Sequence, residues 1–532
     1  METITARAGA NRDTDDAAEA LRQRVAPLAI GGADFRALGH DLVDRIAAFY
    51  DTLPARPVTR DASPGSLRQL LPTGPVPTDG TAPGPLLDEA ASLLFEHSLH
   101  NGSPRFWGYV SSSAAPIGAL ADLLAAAVNP NVGAWALSPL ATEIEAQTVR
   151  WIAELLGYPA SCGGLLVSGG NMANIVGVLT ARHAYATRHG WDVRADGVGD
   201  EAGRRLRIYA SAEAHTWLHK AADMCGLGTA SIREVATDAH HRIDPADLLA
   251  RLREDTAAGD VPFLVVASAG TVGTGAIDPL PELAAICREH DLWFHVDGAY
   301  GGFAALLLDE AEDPCIPDDL RGIREADSVA VDPHKWLYAP LEAGCVLVRD
   351  ASALQDTFSY HPPYYRFDGE GAEPPLNYHE YGPQNSRGFR ALKVWLALRQ
   401  VGRDGYARMI ADDIRLSRAL HGMVQAKPEL QAFTQDLSIA TFRYVPTDLS
   451  ADDATSAPYL NDLNAALLTR LQRDGEAYLS NAVIDSIFVL RVCIVNFRTT
   501  LDDVAALPGY VVRLGRELDA TLRPAALRRP GP

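Results

Sequence analysis

From about residue 116 to about residue 390 the chain alternates short apolar runs with amphipathic helical stretches, and few architectures accommodate such a pattern. The runs include Gly164-Leu165-Leu166-Val167, Leu206-Arg207-Ile208-Tyr209-Ala210, Phe263-Leu264-Val265-Val266-Ala267 and Cys345-Val346-Leu347-Val348. Strands this apolar are covered on both faces, and the helices between them supply the cover. The pattern predicts an α/β fold with a mainly parallel sheet, a large domain over 116–392.

On either side the pattern changes. Residues 1–30 are rich in Ala, Arg and Asp without clear periodicity, and read as a mobile tail that activity does not need. Phe35, Leu38, Leu42, Ile46 and Phe49 recur at helical spacing, with Asp34 placed to cap that helix and Pro54 and Pro57 to end it. A Pro/Gly-rich stretch from Pro72 to Pro85 separates it from a second helical run, Leu86 to Leu99. Residues 33–115 therefore form an N-terminal helical segment that must pack on something else. Beyond Lys393 a long helical stretch leads into shorter strands, notably Phe488 to Val495, and a final helix near Leu501 to Leu522, giving a smaller C-terminal α+β domain over 393–532.

With 532 residues, 47% of them hydrophobic, the chain can bury a large core. Its 47 basic and 68 acidic residues leave a net charge of −21, which repels nucleic-acid phosphates and anionic membrane surfaces. Six cysteines are scattered with no C-x-x-C pair, as suits reduced thiols rather than a disulfide frame or a zinc site, and no metal is expected. Met1 to Asp16 lacks an apolar leader, and no run approaches the roughly 18 apolar residues of a membrane span. A cytoplasmic enzyme is the expectation.

Two apolar runs end in chemistry: Leu292-Trp293-Phe294-His295-Val296-Asp297 and Ser328-Val329-Ala330-Val331-Asp332-Pro333-His334-Lys335. Ligands of α/β sheets bind at the carboxyl ends of strands, so Asp297 and Lys335 can converge on one small molecule. An Asp that keeps a pyridine nitrogen protonated and a Lys that condenses with an aldehyde together describe a pyridoxal-phosphate site. Ser168-Gly169-Gly170-Asn171 follows another strand and opens a helix, which suits a phosphate, although alone it is an ordinary tight turn. His215 also follows a strand and has the place to stack on a ring; by itself it reads as an exposed turn histidine. Lys335 taken singly is a solvated strand-end lysine, and Asp297 a helix cap or loop acid.

Their joint order changes the weight of each. Gly270-Thr271 through Gly275-Ala276-Ile277-Asp278-Pro279, then His295-Val296-Asp297-Gly298-Ala299-Tyr300, Pro333-His334-Lys335-Trp336 and Ser386-Arg387-Gly388-Phe389-Arg390-Ala391-Leu392-Lys393 resemble the group II pyridoxal-phosphate decarboxylases, the family of aromatic-L-amino-acid decarboxylase, from about Asp34 onward. The resemblance implies fold type I (aminotransferase-like), with a mainly parallel seven-stranded sheet, and an obligate homodimer with interface active sites in which the N-terminal segment clasps the partner. It implies Lys335 as the attachment lysine, Asp297 as the pyridinium partner, His215 as the stacking histidine and Ala299 under the ring. Gly169, Gly170 and Asn171 fall at the phosphate turn, with Asp332 and His334 near the same group. Phe358 to Tyr365 resembles the mobile catalytic loop, placing its tyrosine at Tyr364, with Tyr365 as the fallback. The stretch from Pro104 to Pro139 matches the side-chain pocket, here Trp107, Tyr109, Val110, Asn131, Gly133 and Trp135.

Departures are visible too. Asn171-Met172 replaces Ser-Glu in the phosphate turn, Asp332 stands where animal enzymes have Asn, Val272 replaces a threonine and Gly388 an arginine. Val110 and Gly133 replace phenylalanines, which alters pocket volume. The resulting expectation is decarboxylation of an aromatic or other hydrophobic L-amino acid. The alternatives are oxidative decarboxylation–deamination to an aldehyde, a branched-chain aliphatic substrate, or a non-catalytic cofactor-binding dimer. No H-E-x-x-H, G-x-S-x-G or P-loop points elsewhere.

Overall fold

The computed structural model describes residues 17–199, 205–308, 316–360, 375–450 and 453–528. It divides into two compact units, Met1–Ala55 with Ala62–Ser98, and Arg56–Asp61 with Leu99–Pro532. Within the first, helices Gly32–Thr52 and Pro83–His97 meet through stacked Phe49 and Phe95 rings 4.6 Å apart and through Arg45, which pairs with Asp88. The first helix begins two residues before the expected cap. Gly31 precedes it with no side-chain cap, and Asp34 lies in the first turn, where its charge still faces the positive end of the helix dipole. No residue of this helix is buried within the chain.

The second unit is built on a seven-stranded sheet ordered β1-β7-β6-β5-β4-β2-β3. Its strands are β1 (Gly163–Val167), β2 (Leu206–Ser211), β3 (Ile232–Val235), β4 (Val261–Ser268), β5 (Trp293–Asp297), β6 (Ser328–Val331) and β7 (Gly344–Val348). The β3, β2, β4, β5 and β6 neighbours pair in parallel; β7 runs antiparallel to both β6 and β1. The six strands other than β7 therefore share one direction and end on one side.

Alternation along β5 assigns the two faces. Phe294 and Val296 enter the core beneath helices Pro139–Leu155, Leu280–Glu289 and Ala391–Gln425, while Trp293 enters the opposite core with helices Gly170–Arg188 and Trp217–Met224. His295 and Asp297 share the parity of Trp293, so the chemistry at the end of β5 belongs to the second face.

The long helix Ala391–Gln425 kinks at Gly402, where φ is 71°, and runs through the boundary expected at residues 392/393. It leads to an antiparallel sheet, β10-β11-β9-β8, of β8 (Leu430–Asp436), β9 (Ile439–Tyr444), β10 (Ser480–Ile484) and β11 (Ile487–Cys493). Helices Ala457–Asp474 and Leu501–Leu522 share a core with that sheet, and Thr500 and Asp503 form a reciprocal capping box at the start of the latter.

Candidate active site

Five connections reach one pocket from the carboxyl ends of their strands. After β1, Gly169 adopts φ 117°, a conformation open to glycine, and Gly170 begins a helix whose first N–H groups have no intrahelical acceptor. A Cβ on Gly344, the first residue of β7, would run into the backbone of Gly169, so turn and strand touch main chain to main chain. A Cβ on Gly170 would stand 2.6 Å from Asp332 Oδ2, which places the β6 connection directly against the turn. His215 after β2, Thr271 after β4, and Asp297 at the end of β5 line the same pocket with Lys335, Ala299 and Asn171.

Both oxygens of Asp297 are held. Trp217 Nε1 donates to Oδ2 at 2.6 Å and the Ala299 amide to Oδ1 at 3.1 Å. Behind it lies a directional chain of hydrogen bonds. Trp293 Nε1 donates to Ser328 Oγ at 2.8 Å, Ser328 Oγ lies 2.7 Å from His295 Nδ1, and His295 Nε2 lies 2.7 Å from Asn174 Oδ1. Asn174 Nδ2 in turn donates to the Gly170 carbonyl at 2.8 Å. These donors fix a neutral imidazole with its proton on Nε2. Burial pushes the His295 pKa down to about 4, against the pull of Asp297. The chain therefore ties the Gly169-Gly170-Asn171 turn to the strand that carries Asp297.

Lys335 Nζ lies 2.9 Å from Asp332 Oδ2, and His334 Nε2 lies 3.6 Å from the same oxygen. Asp332 Oδ1 is buried without a hydrogen-bond partner. The segment after Lys335 is anchored to helix Ala391–Gln425: Trp336 Nε1 and the Tyr338 hydroxyl donate to Asp413 at 3.0 and 2.7 Å, and the Tyr406 hydroxyl donates to the Leu337 carbonyl at 3.1 Å. Burial raises the Asp413 pKa to about 7 despite those donors. His215 stands partly in solvent, yet the crowded pocket on its other side removes water and lowers its ring pKa, with Asp297 opposing and Lys335 reinforcing the shift. Its Nδ1 accepts the Trp217 amide at 3.3 Å.

The side-chain-pocket residues behave differently. Trp107 is sealed into the C-terminal core with Nε1 donating to Thr499 at 3.2 Å. Asn131 spends its side-chain oxygen on the amides of Gly133 and Arg387, and Gly133 packs against the Asn385 carbonyl; both are turn residues. Tyr109 (54% exposed) and Trp135 (37% exposed) face solvent, Val110 is half-buried, and none of the six lines the pocket around Lys335. Tyr364 and Tyr365 lie outside the described residues.

Other motif residues hold the scaffold. Arg387 is buried against Glu145, Asp278 accepts the amides of Ser268 and Ile243, and Lys393 meets Asp122 at 3.1 Å. The sequence reading missed Trp217, Asn174, Asp413 and Arg491. Arg491, on β11, is buried and donates to the Val272 carbonyl and Ser480 Oγ, both neutral oxygens. Trp217 had a signal, standing two residues beyond His215; the other three act across the fold.

Comparison with known proteins agrees with this geometry. Residues 64–445 match the pyridoxal-dependent decarboxylase conserved domain. The chain is 33% identical over 492 residues to an aromatic-L-amino-acid decarboxylase of Bacillus atrophaeus, covering 92% of this chain and 97% of that one. It is 29% identical over 475 residues to a phenylacetaldehyde synthase of a Rosa hybrid cultivar, covering 88% and 91%. The crystal structure of Oryza sativa TDC with PLP and tryptamine superposes with a TM-score of 0.83 at 28% identity, covering 93% of this chain and all of that one.

Proposed function

Because the chain belongs to the pyridoxal-dependent decarboxylase family, carboxy-lyases of fold type I that use pyridoxal phosphate to decarboxylate amino acids, we propose that it converts an aromatic or other hydrophobic L-amino acid to its amine. The observation that carries the reading is the convergence of Lys335, Asp297, His215 and the Gly169-Gly170-Asn171 turn on one pocket.

The residues present suit the cofactor chemically. Lys335 offers the amine for its aldehyde, the Gly169-Gly170-Asn171 turn offers helix N-terminal amides for its phosphate, and Asp297 offers a carboxylate whose orientation two donors fix. Ala299 lies under the ring and His334 near the phosphate end in this assignment. Pyridoxal phosphate, when bound, supplies an electron-accepting ring for the charge left as carbon dioxide departs. Asp297 keeps a proton at the pyridine nitrogen. His215, whose lowered ring pKa keeps it neutral, covers the ring and with Tyr364 manages the proton delivered to the substrate Cα.

A homodimer accounts for the surface left over. Helix Pro116–Val128 exposes Leu120, Leu123, Leu124 and Val128, the last at 68%, apolar surface that a second copy would cover. Tyr109 and Trp135 are exposed as well, which suits a substrate pocket completed by the partner, and helix Gly32–Thr52, which buries none of its residues, suits a clasp. We also assign the chain to the cytoplasm, on the scattered free thiols Cys162, Cys225, Cys287, Cys345 and Cys493. Among the described residues no helix is long and apolar enough to cross a membrane.

The test is amine and carbon dioxide production by the full chain with pyridoxal phosphate across the standard amino acids, combined with borohydride trapping and peptide mapping. Amine from an aromatic substrate and a label on Lys335 are expected; no amine from any amino acid, or a label elsewhere, sinks the reading. Similarity to the Rosa phenylacetaldehyde synthase favours a second reading, aldehyde formation. Stoichiometric peroxide and ammonia in the same assay would select it.

A further inference from the structure

A carboxylate beside a phosphate-binding turn is a repulsive pairing, and Asp332 occupies such a place. It is 2% exposed, abuts Gly170, and holds Lys335 Nζ at 2.9 Å through Oδ2 while Oδ1 has no partner. Three electrostatic conflicts meet there once cofactor enters. The amine of Lys335 must shed a proton before it has a lone pair with which to react. Asp332 then loses the cation that offsets its burial. A phosphate at the adjacent helix N-terminus adds more negative charge. One proton moving across the 2.9 Å contact resolves all three.

Resting on the cofactor-binding reading above, we propose that Asp332 is the internal proton acceptor for Lys335 during cofactor loading. One Nζ–H bond breaks, its electron pair stays on nitrogen, and the proton forms an O–H bond on Asp332. What remains is a neutral, nucleophilic amine and a neutral carboxyl group at the phosphate turn.

The other groups facing this pair are poorer acceptors. His334, on the same connection, and His215, after β2, both have ring pKa values lowered by loss of water. Cys345 on β7 has a thiol pKa pushed well up by burial. Asp297, across the pocket, already accepts from Trp217 and Ala299, and Lys393, facing His334 from the long helix, is paired with Asp122.

The experiment follows cofactor loading, not turnover. The full chain freed of cofactor is mixed with pyridoxal phosphate between about pH 6 and about pH 8, and the rise of visible absorbance is timed. An internal acceptor makes the neutral amine available independently of solvent pH, so the wild-type rate should vary by less than about threefold. In Asp332→Asn the proton must leave to solvent, and a rate that requires the loss of one proton to solvent should climb roughly tenfold per pH unit. A wild-type rate that climbs so, or a variant profile as flat as the wild type's, overturns the proposal. If Asp332→Asn does not fold, the wild-type profile alone decides. Borohydride mapping separates the two levels: a label on Lys335 with the wrong pH profile removes this inference alone, whereas a label elsewhere removes the cofactor reading beneath it.

Discussion

The floor of the pocket and the rim assigned to the substrate side chain differ in how much of each one chain completes. On the floor, Asp297 has both oxygens engaged, His295 has both nitrogens engaged, and the Lys335 connection is anchored by Asp413 and Tyr406. At the rim, Tyr109 and Trp135 stand in solvent. In the proposed assignment the floor carries the part of the chemistry common to every substrate, with its groups held within a single chain. The rim proposed to distinguish substrates is exposed in one chain, as a partner-completed pocket would require.

Four experiments break or sharpen that contrast. Lys335→Ala should abolish visible cofactor absorbance and lower amine formation by at least about 10³-fold, and should also lower the unfolding temperature, because the buried Asp332 carboxylate loses the cation that offsets its burial. Asp297→Asn should cost about 10²-fold in kcat, and Trp217→Phe roughly tenfold, the difference between losing the charge and losing one hydrogen bond to it. An equal effect of the two would show that orientation of Asp297 outweighs its charge.

Next in size, Leu123→Asp with Leu124→Asp should yield a monomer by light scattering that still shows cofactor absorbance but turns over at least about tenfold more slowly. Dimer retention would uncouple the apolar face from the rim. Smallest in catalysis is Tyr109→Phe, expected to shift KM by up to about fivefold with kcat nearly unchanged, read from initial rates.

A pH experiment addresses the floor alone. The His295 pKa is about 4, depressed from an ordinary 6.5, so its contribution to stability is complete above pH 6.5 and is lost as pH falls toward 4. That loss is on the order of 3 kcal/mol, and His295→Gln should flatten the acid limb of a denaturation series. Asp413 and Asp278, each with a pKa raised to about 7 by burial, act with the opposite sign: their contribution is present at low pH and is lost as pH rises through 7. Maximum stability should therefore fall near or below neutrality.

Much of the floor was legible in the sequence because each of its residues ends an apolar run, and a run's end is a local signal. Taken singly, Asp297 and Lys335 still read as a cap or loop acid and a solvated lysine, and it was their joint order with the neighbouring motifs that gave them weight. The groups that orient them were less legible: Trp217 stands two residues beyond His215 yet meets Asp297 across 80 residues, Asn174 meets His295 across 121, and Asp413 meets Trp336 across 77. Such pairings depend on the order of strands in the sheet. The directions of the rim side chains were not legible either. Phe106-Trp107-Gly108-Tyr109 offers several aromatics, and the backbone turns at Tyr109, where φ is 57°, so Trp107 and Tyr109 do not share the face that i, i+2 spacing in a strand would give them: Trp107 goes inward to Thr499 and Tyr109 outward. The N-terminal helix was placed correctly but its cap was not, since glycine can occupy the position taken for Asp34.

The contact between Gly344 and Gly169 has a dynamic consequence. Because β7 reverses direction directly after the lysine connection, its first residue abuts the Gly169-Gly170-Asn171 turn with no side chain between them to act as a cushion. Neither segment can open by itself without separating that main-chain pair, so amide hydrogen exchange at 169–171 and at 335–343 should proceed as one cooperative unit. Escape of a bound cofactor would then be timed by a shared local unfolding event, and not by the strength of any single contact.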